Sequence, residues 1–227
     1  MDDTTAETPD RHAALFAELA LVGKAFASAK RLVLIDLLAQ GERTVESLAR
    51  EAGMGVTTAS AHLQVLKLSN LVATRREGTR IHYRLAGEDV VALYASMLTV
   101  ARVHSADVEK ALAAYLGLGH DDVEQVSREE LLERLQRGDV LLIDVRPPEE
   151  YAAGHLPGAR SVPFGQLAER LETADPDVEI IAYCRGAYCV LATDAVRLLR
   201  EQGRTARRLE DGLLEWRLAG HPVETRA

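Results

Sequence analysis

Both cysteines of this 227-residue chain stand in one stretch, Cys184-Arg185-Gly186-Ala187-Tyr188-Cys189. An apolar run, Val178 to Tyr183, precedes it and reads as a buried strand. Val190 to Arg200 follows, with apolar residues at helical spacing. Cys184 is therefore expected at a strand-to-helix turn. Loop N–H groups and a helix N-terminus converge there and favour an anion. A thiol placed this way is expected to have a lowered pKa and to be nucleophilic at neutral pH.

The rest of the chain sets the context for that thiol. Two cysteines in one short loop do not make a disulfide framework. They fit a reducing cytoplasm, where such a pair is usually catalytic or redox-active. No apolar run approaches the roughly 18 residues of a bilayer span, so no membrane partner is expected. The acidic, polar start, Met1 to Asp10, does not read as a secretory signal and is expected to be a disordered tail. The length suits one large domain or two small ones. The net charge of −8 is uneven: residues 11–119 stand at +3, while residues 120–227 carry 14 basic and 21 acidic side chains. Only the first half can approach a polyanion.

That first half reads as helical. Arg11 to Gln40 is expected as two helices meeting near Gly23. Thr44 caps a short helix from Val45 to Ala52, Gly53-Met54-Gly55 turns, and Val56 to Ser69 forms a helix burying Ala59, Leu63 and Leu66. Leu71 to Arg76 and Arg80 to Leu85 then read as a hairpin around Glu77-Gly78-Thr79. A helix for the major groove beside a basic hairpin for the phosphates is a DNA-binding arrangement. The candidate contacts are Thr57, Thr58, Ser60, Ala61, His62, Gln64 and Lys67 on the helix, with Arg75, Arg76, Arg80 and Arg84 on the hairpin. A solvated hairpin face is the bland alternative for the four arginines.

The segments Ser60-Ala61-His62-Leu63-Gln64-Val65-Leu66 and Arg75-Arg76-Glu77-Gly78-Thr79-Arg80-Ile81-His82-Tyr83-Arg84-Leu85 make this half resemble the ArsR-type winged-helix repressors. Thr44-Val45-Glu46-Ser47-Leu48-Ala49 and Leu32 to Leu38 extend the likeness over about residues 11–100. The resemblance implies a two-fold dimer joined through terminal helices, reading half-sites about one DNA turn apart. Two positions depart from the pattern. Ala61 stands where a basic residue often precedes the recognition-helix His62. The family's thiolate metal site is missing, because residues 1–183 hold no cysteine. A His/carboxylate site remains an alternative: Asp89 to Leu116 reads as one long apolar-striped helix, which sets His104 and Asp107 on one face. Exposed polar residues on a dimer helix are the other reading of that pair, and no metal or cofactor is expected. Gly117 to Asp122 reads as a linker.

From Val126 strand and helix patterns alternate, implying a mainly parallel sheet with helices on both faces. Ligands of such sheets bind at strand carboxyl ends, where Asp144, Arg146 and Cys184 fall. Four segments in order make this half resemble the rhodanese sulfurtransferases. They are Leu142-Ile143-Asp144-Val145-Arg146-Pro147-Pro148-Glu149-Glu150-Tyr151, Gly154-His155-Leu156-Pro157-Gly158-Ala159, the cysteine loop, and Leu209-Glu210-Asp211-Gly212-Leu213-Leu214-Glu215-Trp216. The resemblance implies that Cys184 takes the outer sulfur of a donor as a persulfide and passes it to an acceptor thiol or other nucleophile. Asp144 and Arg146 are expected to pair and brace the loop, His155 to fix the turn around Gly154 and Gly158, and Trp216 to fill the core. Arg185 either stabilises the anion or faces solvent. The family often has Arg or Thr where this chain has Cys189, which puts thiosulfate as donor in doubt. Cys189 either attacks a Cys184 persulfide and bridges or is a small buried hydrophobe. Phosphatase or arsenate reductase chemistry, on the same fold, suits a longer loop.

The expectation is thus a tail (1–10), a winged-helix DNA-binding and dimerisation domain (11–118) and a rhodanese-like α/β domain (119–227). Its partners would be an operator duplex, a second copy of the chain, and a sulfane-sulfur donor or thiol acceptor. Three readings of the whole stay open: a sensor in which loop chemistry changes DNA binding, an enzyme uncoupled from it, and a metal-sensing repressor using His104 and Asp107.

Overall fold

A computed structural model describes residues 7–117, 123–172, 174–186 and 188–226. The described chain forms two compact units, residues 1–91 and 92–227. The unit boundary falls inside a helix rather than in the 117–122 segment. Residues 118–122 of the expected linker and Met1–Ala6 of the expected tail lie outside the described residues.

In the first unit, α1 runs Glu7–Phe26 and α2 Ala29–Ala39. Helix α1 takes in the last four residues of the segment expected to be a tail. The two helices part at Ser28, whose extended backbone makes it the N-cap of α2, and not at Gly23, which lies inside α1. Helix α3, Val45–Glu51, starts where the Thr44 hydroxyl accepts from the Ser47 N–H, a conventional N-cap bond. Helix α4, Val56–Leu68, follows a turn in which Gly53 adopts φ +61°, a left-handed conformation suited to glycine. Strands β2 (Val72–Glu77) and β3 (Arg80–Leu85) form the expected hairpin, and β1 (Arg43–Thr44) pairs with β3 as a third strand. Leu34, Ile35, Leu48, Ala59, Leu63, Leu66 and Tyr83 make the core. Leu15, Phe16 and Leu19 of α1 are more than half exposed.

Helix α5, Glu88–His104, is one unbroken element whose first four residues belong to the first unit and the rest to the second. The expected long helix stops there. Ser105, in an extended conformation, is the N-cap of a separate helix α6, Ala106–Leu116. The rhodanese-like part is a five-stranded, wholly parallel sheet in the order β4-β8-β7-β5-β6, with β4 Gln125–Val126, β5 Val140–Asp144, β6 Arg160–Ser161, β7 Glu179–Tyr183 and β8 Ala206–Leu209. Helices α7 (Arg128–Arg137), α8 (Pro148–Ala153), α9 (Leu167–Leu171), α10 (Val190–Glu201) and α11 (Leu213–Leu218) connect and cover it. Two apolar clusters result. One is centred on Ile143, Ile180 and Val196, the other on Leu142, Ile181, Tyr183 and Trp216. Successive residues of one strand thus feed opposite layers, as the two-residue period of a strand requires.

Candidate functional site

Strand β7 ends at Tyr183 and α10 begins after Cys189, so the cysteine loop spans the strand-to-helix junction. Cys184 is 2% exposed. It forms a disulfide with Cys189, with the two Cα atoms 6.1 Å apart. Cys189 is thus bridged, and it also packs, half-buried, against the apolar cluster of Ile143, Ile180 and Val196. Ala187, within the loop, lies outside the described residues. The loop is held from below by α11. The Leu213 and Leu214 N–H groups donate to the Cys184 and Arg185 carbonyls at 3.1 and 3.0 Å. Gly212 permits that approach: a Cβ there would lie 2.3 Å from the Gly186 nitrogen and 2.4 Å from its Cα. The Gly212 N–H in turn donates to the Glu215 carboxylate at 2.9 Å.

A chain of buried charges braces the same loop. Asp144 and Arg146 are fully buried and paired, with Arg146 Nη2 2.6 Å from Asp144 Oδ2 and Nε 2.9 Å from Oδ1. The Tyr183 hydroxyl also donates to Asp144, at 2.5 Å, and accepts from the Leu156 N–H. Burial, then the Asp144 charge, pushes the Tyr183 phenol well above its ordinary pKa. Burial works against the Arg146 cation, but its bonds to Asp144 outweigh that and hold its pKa up. Arg146 further donates to the Gly154 carbonyl at 2.7 Å and lies 3.9 Å from Glu150. Glu150, whose side chain is fully buried, receives Arg185 at 2.5 and 3.1 Å. Arg185 is therefore mostly withdrawn from solvent. Its charge is spent on Glu150, and it ties the residue after Cys184 to α8. Glu150 was not anticipated as a site residue: a buried carboxylate facing two arginines is a tertiary arrangement with no local signature. His155 is buried, stacks on Tyr151 at 3.8 Å and donates through Nδ1 to the Tyr151 carbonyl, a structural role. Trp216 fills the core and donates to the Pro222 carbonyl.

Tyr188, the residue before Cys189, meets α5. The Arg102 guanidinium stands 5.7 Å from the Tyr188 ring centroid. Burial raises the Tyr188 phenol pKa, and the Arg102 charge opposes the rise.

The first unit presents the candidate nucleic-acid face. Thr57, Ala61, Gln64 and Lys67 are exposed along α4, with Thr58, Ser60 and His62 half-buried beside them. Gln64 also donates to the Tyr83 hydroxyl at 3.4 Å, linking helix to hairpin. All four hairpin arginines are exposed. They are not equivalent. Arg75 is held by Glu42 at 2.6 Å and Glu77 at 2.8 Å, which raise its pKa, whereas Arg76 and Arg84 bond to the Gly78 and Leu85 carbonyls. The metal alternative loses its premise: the break at Ser105 puts His104 and Asp107 on different helices. Among the described residues no group of three or more His, Cys, Asp or Glu is placed to hold a metal ion. No helix there is long and apolar enough to cross a membrane.

Comparison with known proteins covers both halves. The pattern of the bacterial regulatory protein, arsR family, matches residues 28–74, and that of the rhodanese-like domain matches residues 127–219. An HTH-type transcriptional regulator of Mycobacterium tuberculosis, Rv0324, is 56% identical over 215 residues, covering 95% of this chain and 94% of that one. A putative sulfurtransferase of Bacillus subtilis, YtwF, is 32% identical over 42% of this chain and 91% of its own length. A solution structure of a homodimeric winged helix-turn-helix DNA-binding fragment from Mycobacterium bovis is 57% identical, with a TM-score of 0.41, covering 42% of this chain and 89% of that one.

Proposed function

Because the chain belongs to the ArsR-type winged-helix transcriptional regulators that carry a rhodanese-like domain, we propose that it is a sulfane-sulfur sensor in which the Cys184–Cys189 loop controls operator binding. The working modules are residues 11–118, which read DNA as a homodimer, and 119–227, which take up sulfur. The observation that carries the reading is the bridge itself: both cysteines of the chain are joined inside one loop.

The reduced loop supplies two thiols in sequence. The Cys184 thiolate attacks the outer sulfur of a persulfide RS–SH. A new S–S bond forms, RS⁻ leaves, and Cys184 carries S–SH. The Cys189 thiolate then attacks the Cys184 sulfur, closes the disulfide and expels HS⁻. The two cysteines lose two electrons and the sulfane sulfur gains them. The N-terminus of α10 favours the thiolate that starts the sequence. A cellular dithiol resets the loop, and so the protein works in a reducing cytoplasm. Arg185 is spent on Glu150, an arrangement that suits a persulfide or polysulfide better than dianionic thiosulfate.

Uncovered apolar surface supports the dimer. Leu15, Phe16 and Leu19 on α1, and Val100 and Val103 on α5, are 54–70% exposed. Apolar helix faces of this kind mark a protein interface. A two-fold dimer sets two α4 helices on half-sites about one DNA turn apart. To change operator affinity a hundredfold, loop closure must favour one state by about 2.7 kcal/mol.

Mass mapping of the reduced protein treated with sodium tetrasulfide tests the chemistry. Cys189→Ser accumulates one extra sulfur on Cys184, and the parent passes on to the disulfide with release of sulfide. A Cys184 that gains no sulfur in Cys189→Ser overturns the reading.

A further inference from the structure

A sensor needs an element that feels whether the loop is closed. Tyr188 is suited to that by position. It sits inside the span closed by the disulfide and is bonded directly to Cys189, so opening the bridge removes a covalent restraint from the segment that carries it. Its ring does not point into the rhodanese-like core. It meets Arg102 of α5, 5.7 Å from centroid to guanidinium.

Arg102 is not committed to Tyr188 alone. It also pairs with Glu109 of α6 at 3.5 Å, across the corner at Ser105. Hollows flank it on two sides. One, of about 300 Å³, is lined by Leu98, Thr99, Tyr188, Leu214 and Glu215 among others. A second, of about 260 Å³, is lined by Thr99, Val103 and Glu109. Arg102 and Glu109 are about half exposed, so the guanidinium can move without stranding a buried charge. The side chain therefore has two partners and room to choose between them, which is the form of a two-state element.

We propose that Arg102 is the residue through which α5 reads the loop. With the bridge closed, the Tyr188 ring holds the guanidinium and shares it with Glu109. When two electrons and two protons from a dithiol split the disulfide into two thiols, Tyr188 shifts and Arg102 passes wholly to Glu109. The α5–α6 corner tightens as a result. α5 is unbroken from Glu88 to His104, so a change at its distal end is felt along the helix. This deepens the sensor reading and rests on it for its biological purpose, but the lever itself depends only on loop opening. A cation over an aromatic ring shifts such a two-state balance about two- to fivefold.

Hydrogen exchange on the full-length protein tests the lever without any sulfur donor, with the two loop states prepared by dithiothreitol and by diamide. The expected result is that amides of residues 98–104 exchange at rates differing about two- to fivefold between the states. In Arg102→Gln the difference vanishes, and in Arg102→Lys, which keeps the cation, most of it returns. Disulfide closure by tetrasulfide, followed by mass, proceeds in Arg102→Gln as in the parent. Equal α5 exchange in both states of the parent, or an undiminished difference in Arg102→Gln, overturns the proposal. A protein that moves α5 on reduction yet gains no sulfur on Cys184 keeps the lever and loses the sulfur reading.

Discussion

Neutralising the two buried carboxylates behind the loop should have unequal costs. Asp144→Asn leaves the Arg146 guanidinium fully buried without the carboxylate that receives its Nε and Nη2. Breaking a buried pair from one side costs about 3–5 kcal/mol. Glu150→Gln is milder. Arg146 keeps Asp144 and the Gly154 carbonyl, and the Arg185 side chain, already 20% exposed, can turn toward water. What is lost is the difference between a charged and a neutral hydrogen bond, about 1–2 kcal/mol. The assay is urea unfolding under reducing conditions, followed by the emission of Trp216, the single tryptophan, which is buried in the rhodanese-like core. At a slope of about 1.5 kcal/mol per molar, midpoints fall by roughly 2–3 M for Asp144→Asn and about 1 M for Glu150→Gln. Alkylation of reduced Cys184 should also quicken in Glu150→Gln, because Arg185 no longer ties the loop to α8. Equal losses in the two variants, or a Cys184 whose reactivity ignores Glu150→Gln, would refute the bracing argument.

Three further outcomes follow from the geometry. Gly212→Ala drives a Cβ into the backbone of Gly186 and costs about 1–3 kcal/mol by overpacking. Calorimetry should show a melting temperature lower by about 5–20 °C, whereas Gly165→Ala, with open space around it, changes little. Among the hairpin arginines, Arg76→Ala and Arg80→Ala each lower the salt slope of operator binding by about one. Arg75→Ala lowers it less, because Glu42 and Glu77 already neutralise that cation; fluorescence anisotropy across a salt series distinguishes them. Burial pushes the Glu179 carboxyl up, but bonds from Arg134 and Arg207 outweigh it and leave the pKa below the ordinary 4.5. The stabilisation is therefore full above about pH 4.5 and fades as pH falls through the lower folded value. Glu179→Gln should flatten that part of the acid-unfolding curve.

Periodicity made the elements legible where one face was buried and the ends carried punctuation. Helix α4 and the β2–β3 hairpin lie where their apolar spacing and their Gly53 and Gly78 turns put them. The central strand of the parallel sheet that precedes the cysteine loop, Glu179–Tyr183, is an apolar run and falls where expected, whereas the two-residue strands Gln125–Val126 and Arg160–Ser161 are too short and too polar to carry a period. The helix boundaries differ where a glycine and a serine carry opposite local signals. Gly23 suggested a helix boundary, yet a glycine inside a helix costs only about 1 kcal/mol, and the true breaks are at Ser28 and Ser105. Both serines are N-caps, and Asp107 and Glu109 supply the acidic first turn that marks a helix start. The apolar stripe runs through Ser105, so period alone could not register the break. The candidate site was half legible. Cys184, Asp144 and Arg146 are local motif residues. Glu150 and Gly212 lie inside the motif segments, but their partners, Arg185 and Gly186, come from segments far apart in the chain, and such pairings leave no mark on local sequence.

The central claim is that loop state sets DNA affinity. It is tested most directly by titrating one operator duplex with reduced protein before and after sodium tetrasulfide, in the parent and in Cys184→Ser. The account predicts that the parent's affinity changes by about tenfold or more, that dithiothreitol reverses the change, and that Cys184→Ser does not respond. Equal affinity in every condition would contradict it and leave a sulfurtransferase whose chemistry DNA does not feel.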